Sequence, residues 1–193
     1  MVIFIGGASC SGKTVMAQHI MERYHIPYVS IDHIKMGLIR TGVSKKVGAG
    51  FSWDNTDDEI TEMIWPIIRE MAKTVIENNQ HLIIEGCYIP QDKVKDFPEE
   101  YKEFIVSMYI TFSDSYIDEN YEYGILAHLS EVECRDKDEG YMTIDNFKKM
   151  HRAQRSRCIE NGAKYFEVTD HYDTDLAKAY QWIAMQINEK IDK

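Results

Sequence analysis

The segment Gly7-Ala8-Ser9-Cys10-Ser11-Gly12-Lys13-Thr14 fits the Walker A pattern G-x-x-x-x-G-K-[ST] in full. Glycines permit a tight turn in which successive main-chain N–H groups converge on phosphate oxygens, and a helix N-terminus behind them favours negative charge. In that chemistry Lys13 reaches the β and γ phosphates and the Thr14 hydroxyl ligates Mg²⁺. The plainer reading is a glycine-rich turn with no ligand. It is disfavoured by context, because an apolar run, Val2 to Ile5, precedes the loop and a helix-forming stretch from Lys13 to about Tyr24 follows it. A bound nucleotide with Mg²⁺ is therefore expected.

Two carboxylates close later apolar runs. Asp32 follows Val29-Ser30-Ile31, and a carboxylate there can take the proton of an attacking hydroxyl in phosphoryl transfer; its alternative role is to cap a helix of about His33 to Thr41. Glu85 ends Leu82-Ile83-Ile84, where it would serve Mg²⁺ through a bound water, hold a substrate hydroxyl, or stand as a solvated strand end. Gly86 next to it would allow close approach of the acceptor to the backbone.

Cations are grouped. His33 to Trp53 holds Lys35, Arg40, Lys45 and Lys46 with no acid, and Asn146 to Ile159 holds Lys148, Lys149, Arg152, Arg155 and Arg157 with none. Arginine's planar fork suits a transferring phosphoryl group. Arg152 and Arg155, three apart on a predicted helix, are the candidates for that role, with Arg135 as a third; a solvated helix face is the alternative. Phe51 and Trp53 lie beside the first basic group, placed to stack on an acceptor or to fill core.

These groups need a frame. The 193 residues carry 32 acidic and 22 basic side chains, a net charge of −10, with 44% apolar residues. That composition fits one folded domain and disfavours long nucleic acids as partners. Cys10, Cys87, Cys134 and Cys158 are far apart, without metal-ligand spacing, and read as free thiols. No apolar run approaches the roughly 18 residues of a membrane helix, and the opening run meets Gly6-Gly7 too early for a signal peptide, so a cytoplasmic protein is expected.

Apolar patterning predicts strands at Val2–Ile5, Pro27–Ile31, His81–Glu85, about Phe104–Phe112, and Tyr165–Val168. Between them fall helices of about Thr56–Asn79, one after Ser113, Asn146 to about Asn161 ending at Gly162, and Thr174–Lys190. Ile60, Met63, Ile64, Ile67, Ile68, Met71 and Val75 define one buried face of the long helix, and Pro66 predicts a kink or break in it. Strands alternating with helices give a three-layer, doubly wound parallel α/β sheet.

Loop, Asp32 segment and Glu85 together resemble the small P-loop kinases, the group of adenylate, shikimate and gluconate kinases, chloramphenicol phosphotransferase, zeta toxins and polynucleotide 5′-kinases. The resemblance implies five strands in the order 2-3-1-4-5, a mobile lid, about residues 130–157, and ATP and Mg²⁺ as cofactors. Ser30-Ile31-Asp32-His33-Ile34-Lys35 is similar to the segment in which an aspartate activates the acceptor hydroxyl. By that likeness Asp32 is the base, Lys35 and Arg40 contact the acceptor, residues 33–55 form its pocket, and adenine sits near Thr169–His171. Glu85-Gly86-Cys87-Tyr88-Ile89-Pro90 resembles the Asp-Gly-Phe-Pro-Arg stretch of adenylate kinases but lacks its arginine, which disfavours a nucleoside monophosphate acceptor.

The leading expectation is an ATP- and Mg²⁺-dependent kinase acting on a hydroxyl of a small metabolite or nucleotide-like compound. A nucleotide-binding switch with no acceptor, or a polynucleotide 5′-hydroxyl kinase, are the alternatives.

Overall fold

A computed structural model describes residues 1–42, 55–128 and 143–191. Strands β1 (Val2–Gly7), β2 (Tyr28–Ser30), β3 (Leu82–Gly86), β4 (Ile105–Phe112) and β5 (Tyr165–Val168) form a parallel sheet ordered β2-β3-β1-β4-β5. All of β1 is buried, as its unbroken apolar run requires of a strand covered on both faces. The α-helices among the described residues are α1 (Lys13–Tyr24), α2 (Ile31–Thr41), α3 (Asp57–Glu77), α4 (Gln91–Lys95), α5 (Glu99–Lys102), α6 (Asp114–Asn120), α7 (Ile144–Asn161) and α8 (Tyr172–Ile191). None of them is long and apolar enough to cross a membrane.

Contacts divide the chain into two compact units, residues 1–6 with 17–107 and residues 7–16 with 108–193. In the first, Val2 pairs with Leu82 and Gly6 with Gly86, while Ser30 lies level with Glu85. Its core centres on Phe4, whose ring lies 5.7 Å from Trp65 and 6.1 Å from Phe97. Thr56 and Glu59 open α3 with a reciprocal capping box, and three acids in its first turn suit the helix dipole.

Two expectations about α3 are corrected. Of the kink or break expected at Pro66, the break is absent: the helix runs continuously through it, the proline removing one ladder hydrogen bond while the buried side chains on both sides hold the segment together. The buried stripe is Ile60, Ile64, Trp65, Ile68, Ala72 and Ile76, rotated from the expected face, so Ile67 is exposed. Pro66, Ile67, Met71 and Val75 instead line a shallow groove on its outer side.

In the second unit, Ser113 caps α6 by accepting from the Tyr116 amide, and Thr143 caps α7 likewise. Phe147, His151, Gln154 and Cys158 form the buried stripe of α7. The Phe112 ring lies 5.0 Å from Tyr116 and stacks on His151 at 4.8 Å; Phe166 meets Trp182 at 5.9 Å.

Candidate active site

The Gly7–Thr14 loop joins the end of β1 to the start of α1. Its backbone is one that side chains resist: Gly7 and Gly12 have φ of +150° and +88°, and Cys10, a non-glycine, has +60°. A Cβ on Gly7 would lie 2.4 Å from the Ile110 carbonyl oxygen, and one on Gly12 would lie 1.8 Å from the Tyr172 hydroxyl. These glycines are therefore required by packing against β4 and Tyr172 as well as by the turn. Lys13 is almost buried and its Nζ donates to the Ala8 carbonyl at 2.7 Å. Ser11 is fully buried, and its Oγ has no hydrogen-bond partner.

Asp32 lies in the first turn of α2, whose N-cap is Ser30 rather than Asp32, so the capping role expected for it is corrected. The carboxylate sits where the helix dipole favours negative charge and pairs with Lys35 one turn on, at 2.5 Å. Lys35 Nζ also donates to the Tyr88 hydroxyl at 2.9 Å and lies 4.7 Å from the centre of that ring. Burial works against the charge on Lys35, but its bonds and attraction to Asp32 and Tyr88 outweigh it, so its pKa stands above the ordinary value. Burial pushes the Tyr88 hydroxyl up to about 12, partly offset by Lys35.

Glu85 is buried at the end of β3. The space a Cβ on Gly86 would need is filled by Ile31, 2.9 Å away, so packing on α2 accounts for that glycine. Arg40 is exposed, two turns beyond Asp32 on α2. Phe51, Trp53 and Arg135 lie outside the described residues, as do most of the segment expected to shape the acceptor pocket and the first part of the expected lid.

Both candidate arginines of α7 are engaged. Arg152 grips Asp114 through Nε at 2.8 and 2.9 Å and through a guanidinium nitrogen, holding that carboxyl below its usual range. Arg155 pairs with Glu167. After β5, the Asp175 carboxylate accepts from the Thr169 and Asp170 amides at 2.9 and 3.2 Å and so fixes the loop expected to border adenine. Those amides and Lys178 keep Asp175 far below the usual carboxylate range.

The donor set fits Mg²⁺ in the sparse manner this ion takes in nucleotide sites. Among the described residues no cluster of three or more His, Cys, Asp or Glu side chains is present. Mg²⁺ usually keeps several waters and binds one or two protein groups plus substrate phosphates. The Thr14 hydroxyl, half-exposed at the start of α1, is of that kind.

Sheet order and loop together define the fold as that of the small P-loop kinases of the adenylate and shikimate kinase group. Among solved structures, the chain is similar to a candidate kinase from Chloroflexus aurantiacus (15% identity, 97% and 96% of the two chains covered, TM-score 0.52). It is also similar to an unliganded sugar kinase from Janibacter sp. (13%, 95% and 94%, 0.50) and a shikimate kinase from Bacteroides thetaiotaomicron (15%, 95% and 98%, 0.49). At these identities the likeness is one of fold. No protein-family model and no curated protein matches the chain.

Tyr88, Tyr172, Asp175 and His151 were not among the residues singled out from sequence. For His151 a signal existed: with Phe147, Gln154 and Cys158 it spells a helical stripe inside a run otherwise dominated by cations.

Proposed function

We propose that the protein is an ATP- and Mg²⁺-dependent kinase that transfers the γ-phosphoryl group to a hydroxyl of a small metabolite or nucleotide-like acceptor. The observation that carries this reading is the complete G-x-x-x-x-G-K-T loop between β1 and α1 in a sheet of this order. The Asp32 carboxylate in the first turn after β2 supports it, since a nucleotide switch needs no such group. The reading takes residues 1–193 as one cytoplasmic domain.

In this scheme the loop amides and Lys13 hold the phosphates, Lys13 exchanging the Ala8 carbonyl for a phosphate oxygen. Asp32 keeps one oxygen on Lys35 and takes the acceptor proton on the other. The acceptor oxygen bonds to the γ phosphorus as the bond from phosphorus to the β–γ bridging oxygen breaks, leaving ADP. Thr14, with Glu85, would hold Mg²⁺, which when bound neutralises charge on the phosphates. Arg152 and Arg155 act from the lid side, and to do so must leave Asp114 and Glu167.

Screening pools of hydroxylated metabolites for ADP release above basal hydrolysis tests the reading. Asp32→Asn should lower transfer to the acceptor so found by about 10²–10⁴-fold while leaving ATP affinity unchanged. Undiminished turnover in that variant would remove Asp32 as the base, and ATP binding with no stimulating acceptor would favour the switch.

A further inference from the structure

His151 is a polar side chain with no surface exposure, set in the middle of α7 one residue before Arg152. Its ring stacks on Phe112 at 4.8 Å with 7° between planes and tilts against Phe147 at 4.8 Å. Nδ1 accepts from the Phe112 amide at 2.9 Å, which leaves the proton of the neutral ring on Nε2. The backbone of His151 is tied to the same strand, its carbonyl accepting from the Thr111 hydroxyl at 3.1 Å. The imidazole is therefore fixed in both position and tautomer by the carboxyl end of β4.

The other nitrogen is turned away from that amide, and two residues of the phosphate loop, Ser9 and Lys13, act on the ring. Nε2 is fully buried and makes no hydrogen bond in the structure, while the Ser9 main chain favours the protonated ring, as a carbonyl facing a ring N–H does. Lys13 is the charged group that acts on it from the loop side. Because a trans peptide sets its C=O and N–H in opposite directions, a donor on the Ser9 carbonyl also fixes the direction of the Cys10 N–H. Cys10 is the one loop residue that holds a positive φ without being glycine, so its conformation needs support from outside the loop. A second contact from the same aromatic group reaches the far end of the loop: Tyr172, whose ring lies 6.2 Å from Phe112, covers Gly12.

We propose that His151 is a positioning residue of the phosphate loop: clamped by the Phe112 amide, it presents Nε2–H to the Ser9 carbonyl and so turns the Cys10 amide toward the bound phosphate. The proposal rests on the nucleotide-binding reading of Gly7–Thr14. It links α7, which carries Arg152 and Arg155, to the orientation of a phosphate-binding amide.

Asparagine and glutamine separate the two nitrogens. In His151→Asn the side-chain oxygen can still accept from the Phe112 amide, but no donor reaches Ser9; in His151→Gln the terminal amide can donate where Nε2 stood. With Mg²⁺ and ATP as the titrant in calorimetry, His151→Asn should weaken binding about tenfold and His151→Gln by clearly less, whatever the order of their melting temperatures. Wild-type affinity in His151→Asn, or equal losses in the two variants, would overturn the positioning role and leave nucleotide binding standing. Failure of the wild-type protein to bind ATP would overturn both readings. Should the variants not fold, imidazole nitrogen NMR of the wild-type protein decides. An Nε2–H ring whose signal moves on adding ATP supports the proposal, and an Nδ1–H or charged ring, or a signal indifferent to ATP, overturns it.

Discussion

Replacing Gly12 with alanine puts two separable penalties on the phosphate loop. The first is conformational: at φ +88° an L side chain costs about 1–2 kcal/mol. The second is steric, since the new Cβ would stand 1.8 Å from the Tyr172 hydroxyl oxygen and 3.0 Å from the ring carbon that carries it. Contact with Phe112 limits how far that ring can swing away. Overpacking of this kind costs about 1–3 kcal/mol, so Gly12→Ala should destabilise by roughly 2–5 kcal/mol. Tyr172→Phe deletes the atom that clashes most and keeps the ring. In that background Gly12→Ala should cost about 1–2 kcal/mol less, a coupling that a double-mutant cycle in urea unfolding can read. Equal costs in both backgrounds, within about 0.5 kcal/mol, would show that Tyr172 does not confine the loop.

Two further outcomes follow from the buried and paired groups. Burial first, then the Lys13 charge, push His151 down to about 3, so below pH 6.5 the unfolded chain takes a proton that the folded protein refuses. Its stabilising contribution is whole above pH 6.5 and lost as pH falls toward 3, at about 1.4 kcal/mol per pH unit. Unfolding of wild type and His151→Asn compared between pH 7.5 and pH 5.5, a range above the usual carboxylate titrations, should show a steeper fall for wild type; parallel curves would refute it. In the other unit, Tyr88→Phe removes the hydroxyl that Lys35 meets at 2.9 Å but keeps the ring beneath the ammonium. Urea unfolding should register a loss of about 1 kcal/mol, and no change would mean that Asp32 alone holds Lys35.

The strands and the place of the loop were legible because each rests on short-range chemistry, whereas the order of the sheet came only with the resemblance to the small P-loop kinases. The run Val2–Ile5 has nowhere to go but a strand covered on both faces, and Gly7 to Thr14 spells a turn and a helix start that few other sequences satisfy. Asp32 was legible as a carboxylate behind a strand with Lys35 one helical turn on, whereas the bond of Lys35 to the Tyr88 hydroxyl depends on β3 lying beside β2, a contact across 53 residues. The buried face of α3 was misjudged because Ile67, Met71 and Val75 are as apolar as the residues turned inward, and only the neighbours decide between them. At His151 the helical stripe with Phe147 and Cys158 was present but masked by the surrounding cations, and the amide it serves lies 39 residues away in sequence.

The pairing of β1 with β3 has a consequence for how the chain is made. Val2 finds its partner at Leu82, eighty residues later. At about 5–20 residues per second, a nascent β1 waits some 4–16 s before β3 exists. During that interval a wholly apolar, β-prone segment has both its edges unpaired, and such a segment joins other extended chains readily. Production of this protein should therefore be limited by the company β1 keeps during synthesis: slower translation would lengthen its exposure, and chaperones that shield short apolar segments would raise the soluble yield more than any gain in the stability of the finished fold.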